Sequence, residues 1–164
     1  MHRHRPIEKR QTRRSGVRTV PVATIVGVLA AVVQFLGLAR WPFLVPALAR
    51  TYEDPNSTPA AREATAIVFA SFHRYLGIAV GECLGYLFTG TWTLLVAIAM
   101  LQSSSFDGWL GWPGIAIGAS LVVGSLEFMG PFEEHGWKLA GTIVPIAYTV
   151  WSLWLLAAGV ALLM

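Results

Sequence analysis

The chain has little of what soluble folds and most enzyme sites are built from. It carries one cysteine, Cys83, in 164 residues. That excludes an internal disulfide framework, and it excludes a zinc site of the usual multi-thiolate kind. Close to Gly81 and Gly85, Cys83 reads as a small packing residue. Charged residues make up 13% of the sequence, against about 25% in an ordinary soluble domain. A soluble globule of this composition would lack the polar surface to cover its outside. Motifs of several enzyme classes are also missing: there is no GxSxG nucleophile elbow, no P-loop, no dinucleotide fingerprint and no HExxH pair.

What is there is apolar. The sequence is 55% hydrophobic, with a mean hydropathy of +0.58. This predicts an all-α membrane protein with one transmembrane helical domain over residues 21–164. Four stretches approach or exceed the roughly 20 apolar residues of a span: about 22–39, 77–101, 109–129 and 139–163. Ser57-Thr58-Pro59 has the chemistry of a helix start. From Pro59 to Leu101 the sequence stays helical in character, about 60 Å at helical rise and twice the hydrocarbon thickness. Its first part, 59–76, mixes Ile67, Val68, Phe72 and Leu76 with Arg62, Glu63, His73 and Arg74, which predicts an amphipathic interfacial helix. Arg40, Trp41, Pro42 and Phe43 are expected to end the first helix and supply an interfacial aromatic and a cation; the apolar segment to about Ala49, broken by Pro42 and Pro46, is expected at the interface, and 50–62 as a polar outer loop. Gln102 to Gly108 have the composition of a short inner turn.

The net charge of +3 is unevenly spread. Arg3, Arg5, Lys9, Arg10, Arg13, Arg14 and Arg18 stand in the first twenty residues against one acid, Glu8. Residues 1–20 are expected to form a disordered cytoplasmic tail that sets topology and touches anionic headgroups. The tail lacks the aromatic and fold signatures of a nucleic-acid binder. The apolar run after it is longer than a signal-peptide core, so it reads as a retained anchor. Both termini are then cytoplasmic and the protein is multi-pass in the cell membrane.

Two features carry the expectations about function. Gly77, Gly81 and Gly85 recur every four residues, and Gly114 and Gly118 form a second small-xxx-small pair. Such spacing lets helix backbones approach closely in lipid, and the third span is the expected neighbour of the first seam. The partner across a seam is either within the chain or another copy or membrane protein. The second feature is a polar outer rim of His73, Arg74, Glu82, Glu127, Glu133, Glu134, His135 and Lys138. Helical rise from the inner boundary places Glu82 about 28 Å up and Glu127 about 27 Å up, at similar depth. The expected pairs are Arg74 with Glu82, and Lys138 with Glu127 or Glu134. Tyr86 lies one turn beyond Glu82, an arrangement suited to binding a proton or cation. His73 and His135 are weak candidates as metal ligands, without diagnostic spacing.

The runs RWPFLVPALAR (40–50), HRYLGIAVGECLGYLFTGTWTLL (73–95) and GSLEFMGPFEEHGWKLAGTIVPIAYTVWSLWL (124–155) resemble bacterial integral-membrane proteins of the family called domain of unknown function 4386. The resemblance covers most of the chain after about Val22. It implies a multi-span α-helical membrane protein and carries no activity and no site residues. The expectation is therefore a non-enzymatic membrane subunit or accessory factor packing through its glycine seams, with the lipid bilayer as partner and no cofactor implied. Two alternatives are a dimeric small proton- or cation-coupled transporter using Glu82, and a metal-dependent hydrolase with an outer-leaflet His/Glu site.

Overall fold

A computed structural model describes residues 7–103 and 108–163, with side chains from Pro21 onward. Within these residues the chain is helical and contains no strand. Helix α1 spans Ile7–Phe43, α2 Val45–Glu53 and α3 Pro59–Phe72. A π-helical segment, His73–Leu84, joins α3 to α4, Gly85–Gln102. Helix α5 spans Gly108–Gly124, a 3-10 turn Gly130–Phe132, and α6 Lys138–Leu163.

Three departures from expectation concern element limits. The backbone of residues 7–20, expected to be without regular structure, continues α1; their side chains lie outside the described residues. The first helix also runs through Arg40 and Pro42 to Phe43 rather than stopping at Ala39. Residues 45–53, expected as an irregular interfacial segment and loop, form α2, which pairs with α3. The inner turn falls largely on residues 104–107, outside the described residues.

The α2–α3 hairpin is closed by local chemistry. The Asn56 amide donates to Asp54 Oδ1 at 2.8 Å. Thr58 caps α3 by accepting from the Ala61 N–H at 3.2 Å, with Pro59 in the first turn, where its missing N–H leaves no gap. Arg62 donates back to the Tyr52 and Asp54 carbonyls at 3.2 and 3.1 Å, placing a cation at the C-terminal end of α2.

The packed centre lies between α4, α5 and α6, around Met100, Leu110, Ile117, Leu121, Ala147, Trp154 and Ala158. Small residues set the spacing. A Cβ built on Gly118 would stand 2.9 Å from the Gly90 carbonyl oxygen, and one on Gly114 would stand 2.7 Å from Ala97 Cβ. Two indoles tie α6 to its neighbours: Trp154 donates to the Leu110 carbonyl at 2.8 Å and Trp151 to Thr93 Oγ1 at 2.9 Å. Helix α5 ends at Gly124, short of the expected Met129. Beyond it the Ser125 and Leu126 amides turn back to Val122 and Val123, and the chain enters the loop to α6.

The outside is apolar. Phe35 on α1 and Leu156 on α6 are each 68% exposed, in company with most large apolar residues of both helices. A water-exposed surface of this kind is rare. Exposed hydroxyls are internally satisfied: Ser120, Thr149 and Ser152 each donate to the carbonyl four residues back in their own helix, at 2.8, 2.9 and 3.0 Å. Three helices are long and apolar enough to cross a membrane: Pro21–Glu53, Pro59–Gln102 and Lys138–Leu163. Helix α5 is apolar but shorter.

The first glycine seam faces α1, not the third span. A Cβ on Gly77 would meet the Arg40 guanidinium at 2.9 Å, and one on Gly85 would meet the Gln34 side chain at 3.3 Å. Between them, a Cβ on Gly37 would stand 2.6 Å from Gly81 Cα, backbone against backbone. The order 77-81-85 against 40-37-34 is an antiparallel register. Gly114 and Gly118 lie against α4 instead. Gly37→Ala and Gly81→Ala are therefore expected to destabilise the protein by about 1–3 kcal/mol, since the neighbour is backbone and cannot turn aside. Gly159→Ala, with open space around it, should be neutral or stabilising. Thermal unfolding of the three variants in detergent checks this.

Candidate functional site

The closest approach of α1 to the π segment creates a cavity beside it. Its volume is about 200 Å³, and its lining includes Gln34, Arg40, Gly77, Gly81, Glu82, Tyr86 and Tyr148. Helix α1 supplies Gln34 and Arg40, the π segment supplies the glycines and Glu82, α4 supplies Tyr86, and α6 supplies Tyr148. A π-helix carries its backbone bonds from residue i to i+5 and is frequent at functional sites; here the Gly85 amide bonds the Val80 carbonyl in that pattern.

Arg40 lies along the bare face of Gly77. It donates through Nη1 to the Gly37 carbonyl of its own helix, and its guanidinium sits 5.2 Å from the Trp41 ring centroid. Its Nε is buried without a partner, as is His73 Nδ1; no other buried side-chain nitrogen or oxygen among the described residues is so placed. Glu82 interacts electrostatically with Arg40 and with Glu127. It forms no ion pair with Arg40, although both line the same cavity.

The floor is aromatic and hydrogen-bonded. Gln34 Nε2 donates to Thr89 Oγ1 at 2.6 Å. The Tyr86 and Tyr148 rings are tilted at 60° with centroids 5.5 Å apart. Tyr148 continues edge-on into Trp151, and Trp151 into Trp92.

The expected outer rim does not assemble as one cluster. Arg74 pairs with Glu133, at 2.5 Å, and not with Glu82. It is an exposed side chain aimed at the 130–137 loop, whereas Glu82 faces α1. Lys138 makes no ion pair with Glu127 or Glu134 among the described residues; Glu134 instead lies 3.8 Å from His135, both largely exposed. His73 stacks on Phe69 at 5.8 Å. Among the described residues no three His, Cys, Asp or Glu side chains come together to hold a metal ion. Cys83 Sγ contacts Met129 Sδ at 3.7 Å. The sequence marks Arg40 only as an interfacial cation at a helix end. The cue available was its distance from Gly37 and Gln34: one and two turns along the same face.

The described residues thus form an all-helical protein with three membrane-crossing-length helices and a charged cavity to which all three contribute. The chain belongs to the family described as Domain of unknown function (DUF4386), whose model matches residues 10–159. Comparison with curated proteins and with solved structures finds no match to either.

The Arg74–Glu133 pair is open to water, with side chains 53% and 70% exposed. Glu133→Gln is expected to change stability by less than about 1 kcal/mol. Chemical denaturation in detergent tests this, and a larger loss would mean that the loop is anchored through that pair.

Proposed function

We propose that this is a four-span membrane protein that binds a small charged solute in the Arg40–Glu82 cavity, in the manner of a small transporter. Helix α5 is the fourth span, 59–76 lies at the outer surface, and both termini are cytoplasmic. The observation that carries the reading is the pair of opposite charges facing one cavity without touching. Ionisable side chains within membrane helices are costly and usually mark a solute or proton path. Gln34, Tyr86 and Tyr148 add the few convergent polar groups of a binding site to walls that are otherwise apolar.

The reading as a subunit that docks on partners through its glycines has less support. Gly77, Gly81 and Gly85 are covered by α1, and Gly114 and Gly118 by neighbouring helices of the same chain.

A solute site must be reachable from water. With Cys83 replaced by serine, Gln34→Cys is expected to react with a small membrane-impermeant thiol reagent in liposomes, more slowly than Asn56→Cys in the α2–α3 loop. Labelling of Asn56→Cys with none at Gln34→Cys would overturn the cavity as a solute site. Labelling of Asn56→Cys and Glu134→Cys from opposite sides would overturn the four-span topology.

A further inference from the structure

We infer that the cavity takes a short zwitterion, an oxyanion and an ammonium joined by a few atoms, and not a lone anion, cation or proton. This rests on the solute-site reading above and adds the ligand's class.

Both charged groups have unused capacity. A guanidinium offers five N–H donors, and an ionised carboxylate accepts at about four positions. Arg40 directs one bond to Gly37 and keeps a buried Nε without a partner. Glu82 has no hydrogen-bond partner among the described residues, and the pair is not within ion-pair distance. At low dielectric, opposite charges attract strongly, and two free side chains would close on each other. Here one is held back: Arg40 is laid along Gly77, bonded to its own helix and backed by the Trp41 ring.

A ligand that bridges the gap must offer acceptors to Arg40 and donors to Glu82. A lone cation drawn to Glu82 would meet the Arg40 charge, and a lone anion on Arg40 would meet Glu82. A zwitterion satisfies both and adds no net charge to a poorly solvated site. The tilted Tyr86 and Tyr148 rings give the ammonium end aromatic faces, which attract cations. The size agrees: 200 Å³ is the space of about six or seven waters at roughly 30 Å³ each, below the roughly 300 Å³ where drug-sized sites begin.

Two sources share this chemistry: a free amino-acid-like solute, and the phosphate–ammonium headgroup of a zwitterionic phospholipid. The test is thermal unfolding of the full chain in lipid-free detergent near neutral pH. The probes are β-alanine, glycerophosphoethanolamine, propionate, inorganic phosphate and ethylamine; glycerophosphoethanolamine is a phosphodiester and so, unlike a phosphate monoester, carries no net charge near neutral pH. The two zwitterions, or glycerophosphoethanolamine alone, are expected to raise Tm by about 2–4 °C near saturation, with the single-charge probes inert. A response to β-alanine assigns a free solute. A response to glycerophosphoethanolamine alone, reproduced by phosphatidylethanolamine but not phosphatidylglycerol micelles, assigns a headgroup. Arg40→Leu and Glu82→Gln should each remove the shift, and Tyr52→Phe, outside the cavity, should keep it. An equal shift with propionate, phosphate or ethylamine overturns the zwitterion and leaves the site. No shift with any probe also overturns it, and the Gln34→Cys labelling then decides the site separately. The probe comparison uses the unmodified chain, so it holds even where a variant fails to fold.

Discussion

The contact on which this structure depends is the approach of two backbones at Gly37 and Gly81. Neither residue carries a Cβ, so α1 lies directly on the π segment. In lipid there is little hydrophobic drive between helices, and close packing of this kind supplies the association instead. The same contact sets the register that lays Arg40 on Gly77 and Gln34 beside Gly85. A side chain at either central position would part the helices and dissolve the cavity with them.

The cavity exists because the helix changes type where it is crossed. From His73 to Leu84 the backbone is π-helical, and its glycines leave a wall without side chains. The neighbouring α4 returns to α-helical geometry and presents Thr89 and Thr93 inward, where Gln34 and Trp151 bond them. The site is therefore built on rigid elements, with Tyr148 held from α6 between the Tyr86 and Trp151 rings. What it lacks is a partner for the buried Arg40 Nε. That is costly for a purely structural arrangement, because unpaired polar groups in apolar surroundings lose their hydration without return.

The exposed rim behaves differently. Arg74 with Glu133, and Glu134 with His135, are water-facing pairs of the sort that contribute little. Charge density along the sequence draws attention to them, yet the proposed solute site has fewer charges in a less solvated place. Local density of ionisable residues is a poor guide when the cost of a charge depends on its surroundings.

Composition and hydropathy by themselves determined that the chain is helical, apolar outside and long enough in several stretches to cross a membrane. Those properties follow from local content and need no knowledge of neighbours. The Thr58-Pro59 helix start and the approximate limits of α6 were legible for the same reason, because caps and apolar runs act over a few residues. Every-fourth glycines announced a seam, but not that its partner was α1, since spacing along one helix carries no information about the other. Tertiary structure alone decided the π-helical geometry, the extension of α1 through Arg40 and Pro42, and the pairing of α2 with α3. It alone brought Arg40 and Glu82 to one cavity, while Arg74 turned to Glu133. Those outcomes depend on which backbones can approach one another, and that is settled only when two bare helix faces meet.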